Sequence, residues 1–236
     1  MLDSQNRACI AVTAGGGDIC LLPQMANRHG LIAGATGTGK TCTLQNMAET
    51  FSRMGVSVFA TDIKGDLAGV ACAGGGNAGL QRSVDEHRLT ERGFTYAASP
   101  VCLWDLFGKN GHPLRTTISE MGPLLLSRLL DLNDIQSNVL SIAFRIADDE
   151  QLLLLDLKDL RKMLEHIGNE RARYTTAYGN ISTATIGAIQ RGLLALEEQG
   201  ADHFFGEPAL DILDFLQPRD GRGVIHLLEA APLMRA

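Results

Sequence analysis

The residues best suited to chemistry stand together in Gly34-Ala35-Thr36-Gly37-Thr38-Gly39-Lys40-Thr41, a full match to the pattern GxxxxGK[ST]. Glycines let the backbone curl so that successive N–H groups face one concavity, and a helix starting just behind adds its positive end. A polyphosphate is the natural guest. Lys40 is the catalytic candidate, a point charge for the β and γ phosphates, while the Thr41 hydroxyl suits one position in the octahedral shell of Mg²⁺. The phosphate-binding set is Gly34, Ala35, Thr36, Gly37, Thr38, Gly39, Lys40, Thr41 and Cys42, with ATP and Mg²⁺ as the implied ligands. A glycine turn kept for packing alone does not explain a match along the whole pattern and on both flanks.

Turnover needs more than a cradle: an acidic residue at the end of another core strand, and a group that polarises the attacking water. Asp62 ends Phe59-Ala60-Thr61-Asp62 and is followed by Lys64 and Asp66. Ligands gather at the carboxyl ends of parallel strands, so Asp62 is a candidate for Mg²⁺ through a water. The competing reading is a capped strand end with solvated charges. Leu152 to Leu155 followed by Asp156 imitates an apolar strand with a terminal acid, yet its leucines run on into Leu157, Leu160 and Leu164 at helical spacing. A helix is expected there.

Other residues carry weaker signals. Cys42 sits at a helix N-terminus, where a thiol can be activated, but a buried small residue under the loop is the commoner outcome. Arg161, Lys162, Arg171 and Arg173 could meet phosphates, although a solvated helical face is expected. His29, Trp104, Asp105 and the pair Phe204 and Phe205 read as structural.

The elements that must position the loop follow from periodicity. Residues 9–13 and 19–22 flank Gly15, Gly16 and Gly17 and predict a hairpin. Leu31, Ile32 and Ala33 predict a short buried strand, and Leu44, Met47, Phe51 and Met54 a helix; residues 57–60 follow as the next strand. This β-loop-α-β unit builds parallel sheets. Further strands are expected at 94–97, 101–104 and 223–228, with a polar helix within 81–92. From Ile118 to Gln199 the apolar residues step by three and four in four successive helices, two of them opened by Thr117 with Glu120 and Asn133 with Gln136.

The chain has 236 residues, 45% of them hydrophobic and 20% charged, with mean hydropathy +0.03, which excludes a disordered or fibrous protein. Twenty-one basic against twenty-seven acidic side chains leave a net charge of −6, so any nucleic-acid contact must be local. Cys9, Cys20, Cys42, Cys72 and Cys102 are scattered, with no CxxC pair; they predict free thiols, no zinc site and a cytoplasmic location. No apolar run approaches the ~20 residues of a membrane span.

Residues 29–41 resemble the P-loop of the HerA/FtsK superfamily of DNA-pumping ATPases. Thr61-Asp62-Ile63-Lys64-Gly65-Asp66-Leu67-Ala68-Gly69, Trp104-Asp105-Leu106-Phe107-Gly108, residues 152–160 and Phe204-Phe205-Gly206-Glu207-Pro208 extend the similarity to its bacterial YjgR-type branch of HerA-like helicases. The resemblance implies a RecA-like α/β fold with a mostly parallel sheet, a hexameric ring as homo-oligomer, ATP hydrolysis between subunits and translocation on double-stranded DNA. In that family the strand ending Asp-Glu-Ala-His and the inter-subunit arginine lie C-terminal to the segment resembling 223–228. The chain therefore looks like an N-terminal half, expected to be incomplete for hydrolysis. Its expected organisation is a hairpin plus P-loop core in 1–116, a helical insertion in 117–200 and a return to the core in 201–236. The alternative function is a nucleotide-dependent switch acting on a protein partner without DNA; a small-molecule kinase is disfavoured, since no lid-like arginine cluster faces an acceptor.

Overall fold

The computed structural model describes residues 1–3 and 7–234, so the ends of the 201–236 segment lie partly outside it. Its elements open with β1 (Ala8–Val12), β2 (Asp18–Leu21), α1 (Lys40–Arg53), β3 (Val58–Asp62), α2 (Ala78–Glu86) and β4 (Val101–Asp105). They continue through β5 (His112–Pro113), α3 (Ile118–Leu129), α4 (Asp134–Asp149), α5 (Leu157–Asn169), α6 (Arg171–Tyr178), α7 (Thr183–Glu198) and β6 (Ile225–Glu229). The chain forms two units, Met1–Trp104 with Asp211–Arg235, and Asp105–Leu210. Mixed α/β structure with a parallel sheet and an antiparallel hairpin is the RecA-like class expected.

In the first unit β3, β6 and β4 lie side by side in that order, all parallel, with Val58 and Val101 both in register with Ile225. Ile225, Leu227 and Val70 form the buried centre, and half-buried Ala48, Val58, Ala60, Leu67 and Val101 pack on it. The hairpin of β1 and β2 turns through Gly16 at φ 82°, a left-handed conformation that favours glycine.

Three expectations fail in this unit. Residues 31–33 join no strand, and Leu31 is 90% exposed. Three apolar residues between Gly30 and Gly34 are too few to hold a place in a sheet without ladder partners. Residues 94–97 also lack a strand; their apolar alternation reflects Phe94 and Tyr96, which pack edge-on at 5.0 Å between centroids. The thiols are not all free, because Cys9 and Cys20 face each other across the hairpin and are disulfide-bonded. Residues eleven apart in sequence gave no hint of this pairing, since it depends on hairpin register. Cys42, Cys72 and Cys102 are free.

The second unit is helical, and its apolar faces meet around Leu126, Leu140, Leu160, Leu164, Ile189 and Leu193, all wholly buried. Thr117 with Glu120 and Asn133 with Gln136 form the reciprocal caps expected of them. The α3 segment is interrupted at Gly122, φ 72°, just before Pro123, where proline removes a helical donor. The next helix begins at Leu157, not 153: residues 152–155 are neither helix nor strand, and Asp156 caps α5 by accepting from the amides of Lys158 and Asp159. The strand imitation there is excluded, and the helical expectation is shortened. Helix α6 went unforeseen because it has no apolar stripe; Tyr174, buried, is its anchor, donating to Glu150 Oε1 at 2.8 Å. Among the described residues no helix is long and apolar enough to cross a membrane.

Candidate functional site

The glycine-rich loop lies on the surface, with residues 33–39 all exposed. Its internal organiser is one carbonyl. Ala35 O accepts from Thr38 N at 3.4 Å, from Thr38 Oγ1 at 2.8 Å and from Lys40 Nζ at 2.7 Å. Gly37 and Gly39 take φ of 83° and 94°, conformations that side-chain-bearing residues adopt only with strain. A Cβ on Gly34 would stand 2.5 Å from Thr38 Oγ1, displacing the hydroxyl that closes the turn. All three glycines therefore serve the bend.

Helix α1 starts on this bend with Gly39 as its N-cap and no side-chain cap. The first amide of α1 to find an acceptor is Thr43 N, on Gly39 O at 2.9 Å; among the described residues the amides of Lys40, Thr41 and Cys42 have none. Three unpaired N–H groups at the positive end of a 14-residue helix, in an exposed concavity, make an arrangement whose chemistry is anion binding. The Lys40 ammonium is turned in toward the bend, not out to solvent. Among the described residues its one hydrogen bond runs to a neutral carbonyl, and an anionic oxygen is a stronger acceptor for it.

Cys42 is exposed, which corrects the expectation of a buried small residue. Position three of α1 simply faces away from the packed side carried by Ala48.

Asp62 ends β3 and is buried. Its Oδ1 accepts from Lys64 N at 3.2 Å and Gly65 N at 2.8 Å, and its Oδ2 from Leu67 N at 2.9 Å. That is the geometry of the capped strand end. Lys64 and Asp66 are exposed, and Gln45 of α1 donates to Asp66 O at 2.7 Å, tying this turn to the loop's helix.

Asp105 at the end of β4 repeats the device, and sequence reasoning saw in it only a strand end. It accepts from the amides of Phe107, Lys109 and Asn110 at 2.7–3.0 Å. Burial pushes its carboxyl up, but the three amides and the Lys109 cation outweigh this and hold it below the usual aspartate range. The one cue available was Gly108 three residues on. His226, buried in β6, accepts from Trp104 Nε1 at Nδ1, 3.0 Å, leaving Nε2 to donate to Phe215 O at 3.1 Å. Burial lowers its pKa; a ring that accepts at Nδ1 while donating at Nε2 is the neutral tautomer, and it ties Trp104 to the Phe215 carbonyl.

Asp3 with Cys9 and Cys20 is the one group of potential metal ligands close enough together among the described residues. Its thiols are consumed by the disulfide and Asp3 pairs with Arg7 at 2.6 Å, so it is no metal centre. Of Arg161, Lys162, Arg171 and Arg173 on α5 and α6, three are paired, Arg161 with Glu197, Lys162 with Glu165 and Arg173 with Glu150, and Arg171 is exposed. They form the solvated face expected.

Comparison with known proteins adds one match. The family model for helicase HerA-like C-terminal domains covers residues 8–236. No curated protein and no solved structure matches the chain.

Proposed function

The chain belongs to the HerA-like C-terminal helicase family, a family of helicase- and translocase-type ATPases, and from that premise we propose that residues 34–42 bind the triphosphate of ATP with Mg²⁺. The observation that carries this reading is the row of unpaired amides at Lys40, Thr41 and Cys42 behind the left-handed glycines. Lys40 exchanges Ala35 O for phosphate oxygen. Thr41 would hold Mg²⁺ through its hydroxyl, and the ion would supply charge neutralisation to the phosphate chain. Asp62 enters only through a water, because three amides already occupy its carboxylate.

The finer features belong to the same proposal: the YjgR-type branch, a hexameric ring on double-stranded DNA, and a P-loop core in 1–116 with a helical insertion in 117–200 and a returning segment in 201–236. The test is Lys40→Ala in a fluorescent-ATP titration. Most of the affinity should disappear, while the melting temperature without ligand stays nearly constant, because Lys40 Nζ bonds only to an exposed carbonyl. Unchanged ATP binding overturns the assignment.

A second reading, a nucleotide-dependent switch acting on a protein partner, is favoured by the net charge of −6. ATPase activity that no duplex or single strand stimulates would support the switch over the motor.

A further inference from the structure

Beside the loop lies a cavity of ≈ 470 Å³, walled on one side by α1 residues Cys42, Gln45, Asn46 and Glu49 and on the other by β1, Cys72 and the Phe94–Tyr96 segment. It has the size of a small-ligand site, and Cys42 belongs both to its wall and to the row of unpaired amides. We infer that this cavity seats the nucleoside half of the nucleotide whose phosphates lie on the loop, an inference that rests on the function proposed above.

The lining suits an aromatic heterocycle. Phe94 and Tyr96 meet edge-on at 78°, so each ring keeps a face free of the other, and stacking on such faces tolerates any base. Tyr96 is held in place by Gln81, its hydroxyl 3.3 Å from Oε1. Asn46 Nδ2 reaches Cys9 O at 3.4 Å, which joins β1 to the helix and fixes the cavity's width. Burial pushes the Glu49 carboxyl up, against the pull of the Arg53 cation and of the chain's N-terminal ammonium. Ile10, Val12, Leu80 and Leu89 give the wall apolar surface, and His87 adds a polar edge.

Two exposed thiols make the proposal directly readable, since Cys42 stands at the loop end of the cavity and Cys72 on its wall. Iodoacetamide labelling followed by mass spectrometry is run with ATP or with tripolyphosphate, each with Mg²⁺, using half-buried Cys102 outside the cavity as reference. Both ligands should slow Cys42 and only ATP should slow Cys72, by about 100-fold at a concentration 100 times Kd. Tyr96→Ala should weaken ATP by roughly tenfold and leave tripolyphosphate unaffected. Protection of Cys42 by ATP without protection of Cys72, or equal protection of Cys72 by tripolyphosphate, overturns the nucleoside seat and leaves the loop assignment standing. Failure of either ligand to protect Cys42 removes the loop assignment and the seat with it.

Discussion

The helical unit and the α/β unit bury their apolar residues very differently. Around Leu160, Leu164 and Ile189 the helices close over a continuous core, whereas the sheet unit gathers only a small buried cluster, Val70, Ile225 and Leu227, with half-buried neighbours. Every residue of the candidate site lies in the thinly packed unit. Its order comes from directed hydrogen bonds, Ala35 O gathering the loop and Asp62 the turn after β3, where the helical unit relies on area removed from water. A binding loop needs free polar groups, and free polar groups are incompatible with a dense apolar core.

The sharpest way to break this contrast is Leu164→Ala, at a wholly buried position. It should cost about 2–5 kcal/mol in a denaturant titration; a loss near zero would mean the helical core is not what holds that unit. Next comes Asp105→Ala, which strands three amides and should cost about 1–3 kcal/mol. The same group predicts a pH dependence. Because its folded pKa is depressed, its contribution is complete above the ordinary aspartate range and fades as pH falls through the lower folded value. In Asp105→Asn that acid-side slope of stability should flatten, as followed by thermal melts at stepped pH.

Asp156→Ala removes the cap of α5 and should cost about 1 kcal/mol in the same denaturant assay. Smallest is Leu31→Ser, which should stay within about 0.5 kcal/mol because the side chain is 90% exposed. A large destabilisation by Leu31→Ser would show that residues 31–33 are packed in solution after all, and would narrow the difference between the units.

Much of the helical unit was legible because amphipathic helices declare themselves locally: Ile118 to Leu132 and Ile135 to Ile146 carry their own period and their own caps. Helix α6 was not legible, since Tyr174 is anchored by Glu150, just past the end of α4, and by His166 of α5. The strands were read with mixed success for a related reason. Residues 58–62, 101–105 and 225–229 found one another, while 31–33 and 94–97 have similar composition and found no ladder.

The glycines, lysine and threonine of the loop were determined by the sequence alone, because the bend and the helix start are properties of a dozen neighbouring residues and their backbone preferences. Tertiary structure alone decided that Cys9 bonds Cys20, that Cys42 faces solvent, that Asp62 is spent on its own turn, and that a cavity opens beside α1. Each of these depends on which distant segments the fold brings together, and strand register, burial and cavity shape leave no periodic trace along a chain.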